Sequence, residues 1–250
     1  MVRSATVPGS YQPTGDGAIR RIKACLNGGR PFPASPADLA AEAVAAVKAG
    51  AEAVHVHPRD AAGAESLAAA DIGAAVTAIR AACPGIRVGV STGVWMTGGD
   101  AHRRAALVAS WREMPDFASV NVSEPGFTDL VRLLASQGVG VEAGVWHPDE
   151  VDALRRLPLE RVLIEVLDTP ADRAVPAADA ILARLDAAGY RGERLLHGEE
   201  EACWPLITHA GHLGLPTRIG LEDTLTLPDG SPAPGNAALV EHALPRWRTP

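Results

Sequence analysis

His55-Val56-His57-Pro58-Arg59-Asp60 closes the run from Ala49 to Val56, and the parity of this stretch decides how the chain is read. In a strand successive side chains point to opposite faces, so His55 and His57 project together while Val54 and Val56 face the other way. Two imidazoles side by side make half a metal site. Taken alone, such a pair serves equally well as two structural histidines satisfied by backbone groups, and the surrounding chain has to choose between the readings.

From about residue 21 onward, short β-like runs alternate with Ala- and Leu-rich helical stretches, the pattern of a parallel sheet with helical crossovers. Strands are expected over Arg21 to Asn27, Glu52 to His57, Ile86 to Ser91, Phe117 to Val122, Gly140 to Val145, Arg161 to Leu167, Arg194 to His197 and Thr217 to Leu221. Helices are expected to begin near Ser35, Ala69, Asp100, Thr128, Asp149, Ala177, Glu200 and Asn236. Ser35-Pro36 offers an N-cap followed by proline at the first helical position, and Gly50 and Gly189 stand where helices end. Eight such units in 250 residues have the size of a single α/β domain, a (β/α)8 TIM barrel spanning residues 1–250, with residues 1–20 as an N-terminal arm. A doubly wound open sheet is the structural alternative, but no glycine-rich phosphate loop opens a helix after the first strand.

Composition narrows the function classes. Net charge is 23 − 30 = −7 with no long run of one sign, so neither nucleic acid nor an anionic membrane surface is an evident partner, and a small molecule is the expected ligand. Cys25, Cys83 and Cys203 are odd in number and far apart, which argues against a disulfide framework and for a reducing compartment. Met1 to Tyr11 lacks the apolar centre of a signal peptide and no stretch is long enough to span a bilayer, so a cytoplasmic location is expected.

Barrel strands alternate between lumen and helix layer, and the apolar set on each strand therefore names the inward residues. Parity places Asn27, His55 and His57, Ser91, Ser119 and Asn121, Glu142, Glu165, His197, and Arg218 with Gly220 and Glu222 inside. Charged residues are rare at ordinary core positions because burying an unpaired charge costs several kcal/mol. A solvated mouth with structural ion pairs is the plain alternative. Strands eight and two both neighbour strand one, so they lie two steps of about 4.8 Å apart, roughly 10 Å across the mouth. His55, His57 and Glu222 then form a His₂Glu set with a coordination position left open, the arrangement of a catalytic zinc. Arg218 lies one layer below Glu222 and Asp223 follows it, a pairing suited to holding a charged base in place.

Together with their context, these residues resemble the β-keto acid cleavage enzymes of the 3-keto-5-aminohexanoate type. The resemblance rests on Leu26-Asn27-Gly28, the His55-to-Asp60 segment, Ser91-Thr92-Gly93, Pro115 to Ser119, Glu142, and the blocks Thr217 to Asp223, Asp229-Gly230 and Asn236 to Glu241. It implies a zinc-bound TIM barrel that converts a β-keto acid and acetyl-CoA into acetoacetate and a new acyl-CoA, and an oligomer of identical chains. Carried over, His55, His57 and Glu222 match the zinc ligands, and Asp223 with Arg218 matches the dyad acting as general base. Ser91 and Ser119 match polar positions that contact substrate. Asn27, Arg30, Arg59, Thr92 and Gly93 are further candidates for substrate contact, and Glu142 is a candidate catalytic residue. The chain departs from the pattern at Arg30, where some members carry an acidic residue reading an amino group, which points to an acidic or neutral substrate side chain. The segment Asn121 to Thr128 is abbreviated, and Gly144 leaves Glu142 without a second carboxylate beside it. Glu165 and His197 have the right parity to support a metal from below, and Trp95 and Trp146 to wall a pocket. His209 and His212 read as a helix-end pair. A zinc-dependent hydrolase or aldolase working without CoA is the alternative reading, and a catalytically silent barrel the third.

Overall fold

In the computed structural model, which describes residues 18–248, every expected strand forms, and all pair in parallel. Residues 1–17 of the expected N-terminal arm lie outside the described residues. The strands are β1 (Ile22–Cys25), β2 (Ala53–Val56), β3 (Arg87–Ser91), β4 (Phe117–Asn121), β5 (Gly140–Val145), β6 (Arg161–Val166), β7 (Glu193–Gly198) and β8 (Thr217–Ile219). They run in the order β7-β6-β5-β4-β3-β2-β1-β8. The remaining seam is drawn together by Leu196 N–H donating to Pro216 O (3.0 Å) and Thr217 Oγ1 donating to Leu196 O (2.7 Å). The result is a nearly closed TIM barrel.

Around it lie α1 (Pro36–Ala49), α2 (Ala69–Ala82), α3 (Ala101–Ala109), α4 (Phe127–Ser136), α5 (Ala171–Ala187), α6 (Cys203–Leu213) and α7 (Asn236–Arg248). The first has complete caps: Ser35 and Asp38 exchange side-chain bonds with each other's backbone N–H, Pro36 occupies the first turn, and Gly50 ends the helix at φ 112°. Among the described residues, no helix is long and apolar enough to cross a membrane.

Three expectations are corrected. The element expected near Asp149 is a 3₁₀ segment, Pro148–Leu154, rather than an α-helix. The one expected near Ala177 begins at Ala171, so that Pro176 lies inside the helix and not before it. The eighth strand stops at Ile219 instead of Leu221. Gly220 is pressed against the carbonyl of Cys25, where a Cβ would stand 1.8 Å from the oxygen, and the chain turns there. Asp223 and Thr224 donate back to Gly220 O (2.9 and 3.1 Å), so Glu222 reaches the mouth from a turn and not by strand parity.

Parity elsewhere divides the interior into two cores. Val54, Val56, Val88, Val90, Val141, Ile164 and Ile219 join the helices in the outer cluster. Ala53, Phe117, Leu163 and Leu195 form a separate one inside the barrel. Phe117 is fully buried, with Lys23 Nζ, Arg87 and Arg161 5.5, 5.3 and 5.5 Å from its ring centroid. Its negative ring face helps three lumenal cations to coexist. Room for it comes from Gly89, its ladder partner on β3. A Cβ at position 89 would lie 1.9 Å from the Phe117 ring. Gly89→Ala is expected to lower the free energy of unfolding by about 2–3 kcal/mol through overpacking, checked by urea denaturation against the parent protein.

Candidate metal and active site

The lower lumen is saturated with partners. On β5, Glu142 accepts from Lys23 Nζ (2.5 Å), Arg161 Nη1 (2.7 Å) and Ser119 Oγ (3.0 Å), and it is fully buried. Burial disfavours its carboxylate, but Lys23 and Arg161 outweigh that effect and hold its pKa well below the ordinary 4.5.

Above this layer the balance changes. At the C-terminal ends of the strands is a cavity of about 500 Å³, lined among others by His55, His57, Glu222, Arg218, Ser91 and Ser119. Such a cavity is where barrel enzymes carry their sites. His57 Nε2 lies 3.5 Å from Glu222 Oε1, and His55 Nε2 lies 3.9 Å from Glu222 Oε2. The three ligand atoms are within 4.8 Å of one another. Gly28, at φ +51°, makes room for this arrangement, since a Cβ there would stand 2.5 Å from Glu222 Cγ.

The donor set fits a divalent cation. Glu222 Oε2 and His55 Nδ1 are buried without a hydrogen-bond partner. Burial holds His55 well below the usual histidine range, which favours the neutral ring that metals bind. Burial opposes the charge on Glu222, yet Arg218, His57 and His55 keep its carboxyl well below the ordinary value. For His57, burial is outweighed by Glu222 and Glu65, which lift it to about 9; a cation must displace that proton.

Arg218 organises the rest. Its Nη2 donates to Glu222 Oε1 (2.9 Å) and to Asp223 Oδ1 (2.6 Å), its Nε to Asp223 Oδ1 (3.0 Å), and its Nη1 lies 3.7 Å from Glu165 Oε2. Asp223 is fully buried and its Oδ2 has no partner. Burial raises its carboxyl to about 6 against the pull of Arg218. Glu165 accepts from His197 Nε2 (2.9 Å) and Trp146 Nε1 (3.3 Å), so that pair supports the site from the β6–β7 side.

The remaining candidates separate by what their polar atoms already touch. Ser91, Ser119, Gly93 and Arg30 line the cavity. Arg30 is tied to Glu200 (2.6 Å) and to Leu221 O (3.1 Å). Asn27 brackets His57 from behind, accepting from its N–H and donating to its carbonyl, both at 2.8 Å. Arg59 donates to Gly28 O, Arg30 O and Gly63 O, and Thr92 to Ser119 O. Asn27, Arg59, Thr92 and Glu142 are not among the residues that line this cavity, and the bonds they make hold loops and strands around it. Trp95 and Trp146 line the cavity, while His209 pairs with Asp179 between helices.

Sequence reasoning missed Glu65 as a cavity residue, while Glu199 and Glu200, at the end of the seventh strand, also line the wall. It also missed Glu124, which accepts from Arg104, from Asn121 Nδ2 (3.0 Å) and from Val94 N–H (3.1 Å). Loop residues carry no parity. Only the Asp60 to Gly63 turn hinted that the chain after His57 folds back.

The sequence profile of the family BKACE, beta-keto acid cleavage enzyme, matches residues 24–248. The chain belongs to the β-keto acid cleavage enzymes. A comparison with curated proteins found no significant match. Among solved structures, this family member is similar to a ternary complex of ObcA with a C4-CoA adduct and oxalate, with 19% identity and a TM-score of 0.66 over 84% of this chain. The apo structure of ObcA matches with 19% identity and a TM-score of 0.64 over 84% of this chain. The chain spans 62% and 60% of those two ObcA chains. Thiamine phosphate pyrophosphorylase from Pyrococcus furiosus is similar at 10% identity and a TM-score of 0.59, over 92% of this chain and 96% of that one. At these identities the structural matches speak for the barrel fold.

Glu142→Gln leaves Lys23 and Arg161 with an uncompensated buried charge and is expected to destabilise the protein by about 3–5 kcal/mol at neutral pH. Because the folded-state pKa of Glu142 is the lower one, its stabilisation is complete above the unfolded value near 4.5 and is lost as pH falls from there. The difference between parent and variant should accordingly shrink below pH 4.5, read by denaturant unfolding across an acid series.

Proposed function

We propose that this β-keto acid cleavage enzyme is zinc-dependent and transfers the acyl part of a β-keto acid to coenzyme A, taking the acid and acetyl-CoA to acetoacetate and a new acyl-CoA. The observation that carries this reading is the convergence of His55, His57 and Glu222 beside an Arg218-held Asp223 with one bare carboxylate oxygen. A divalent cation bound by that set would supply Lewis acidity toward the substrate's keto oxygen, where alkoxide charge develops as a nucleophile adds to that carbon, and toward the enolate released when the carbon–carbon bond breaks.

The chain's own groups do the rest. Asp223, with a pKa of about 6, is mostly ionised at neutral pH, and it takes and returns the proton. Arg218 aims that carboxylate and, through its second bond to Glu222, fixes the distance between base and metal ligand. Ser91 and Ser119 offer hydroxyls at the cavity wall for the substrate's polar groups. Use of CoA is supported by the family and by the CoA adduct that the ObcA complex holds.

The test is a panel of β-keto acids incubated with zinc-loaded protein and acetyl-CoA, with acetoacetate as the readout. His55→Ala is expected to lose both bound metal and activity. Asp223→Asn is expected to keep the metal and lose activity about 10²–10⁴-fold, the usual scale for a general base. Acid consumption that proceeds equally well without acetyl-CoA would move the assignment to a hydrolase or aldolase.

A further inference from the structure

Two imidazoles face Glu222, yet their outer nitrogens are treated differently. His55 Nδ1 is buried with no partner, whereas His57 Nδ1 is hydrogen-bonded to Glu65 Oε1. The same carboxylate uses its other oxygen to accept from Trp95 Nε1 at 2.8 Å. Trp95 in turn stacks on the His57 ring, with centroids 6.3 Å apart and planes inclined by 23°.

The backbone is built to deliver these contacts. Asp60 Oδ1 accepts from the N–H groups of Ala62 and Ala64 (2.9 and 3.0 Å), and Arg59 and Glu65 form an antiparallel bridge, so a tight turn returns Glu65 over His57. Ser66 N–H closes the turn on Pro58 O at 2.8 Å. On the other side the Val94–Thr97 segment carrying Trp95 is anchored by the bond of Val94 N–H to Glu124. Gly93 lets the indole fold back, because a Cβ there would stand 2.1 Å from Trp95 Cη2.

We propose that Glu65 is a positioning residue of the metal centre: by accepting from His57 Nδ1–H it leaves the Nε2 lone pair directed at the cation, and by accepting from Trp95 it locks the ring's orientation. This role rests on the metal reading above. Carboxylate partners of metal-bound histidines act in this way, fixing the tautomer and raising the basicity of the ligand nitrogen. Both Glu65 oxygens are engaged, one by His57 and the other by Trp95, so its effect is on affinity for the metal, with any effect on turnover following from occupancy.

The experiment measures zinc affinity by competition with a chromophoric chelator, alongside the melting temperature of the metal-free protein, for the parent, Glu65→Ala and Glu65→Gln. Expected is a zinc affinity about 10–100-fold weaker in Glu65→Ala, a smaller loss in Glu65→Gln, which keeps one acceptor oxygen, and metal-free melting temperatures close to the parent's. Parent-like zinc affinity in both variants would overturn the proposal. So would a loss of affinity accompanied by a comparable loss of metal-free stability, since Glu65 would then merely hold the loop. A parent protein that binds no zinc would instead sink the metal reading itself, an outcome separable from the first two.

Discussion

Arg218 is the buried charge on which the site depends. Its side chain is 4% exposed, and a guanidinium so enclosed must find its compensation within the protein. Asp223 and Glu222 supply it from a turn that starts immediately after the last strand, and Glu165 adds a third carboxylate from β6, two strands away. The same bonds that make the cation tolerable also hold the candidate metal ligand Glu222 and the proposed base Asp223 at a set separation. Stability and chemistry here are consequences of one electrostatic requirement.

Glu142 and Glu222 show why burial and parity alone do not identify a reactive carboxylate. Both are inward and both are held ionised by neighbouring cations. Glu142 has Lys23, Arg161 and Ser119 on its oxygens, so neither oxygen is without a donor. Glu222 and Asp223 each keep an oxygen with no partner, and the two histidines nearest Glu222 present nitrogens to it at distances too long for a good hydrogen bond. Unspent bonding capacity, concentrated at one end of the barrel, separates the candidate site from the structural layer beneath it.

The mouth is shaped by short loops held by side-chain bonds to backbone. Arg59 grips the carbonyls of the first loop, Asn27 brackets His57, and Glu124 collects Arg104, Asn121 and the loop after β3. The abbreviated segment after β4 is therefore organised, with its own buried ion pair. Arg30 illustrates how a cation at the mouth can be drawn into the protein's own network: its pairing with Glu200 and Leu221 O uses donors that an isolated reading of the residue would assign to a substrate.

The sequence by itself determined the barrel, the division of each strand into lumenal and helix-facing sets, and the identity of the His55, His57 and Glu222 group. Period-two alternation and repeated strand–helix units are local properties, and residues such as Val54 and Val56 declare their face without reference to anything distant. Only the tertiary structure decided which inward residues are saturated, that Glu222 arrives from a turn rather than a strand, and that Glu65 returns to His57. Those outcomes depend on loops, where no periodicity constrains a side chain. They depend as well on how the hydrogen-bond donors of remote strands are shared among competing carboxylates, a count that can be made only once the chain has closed on itself.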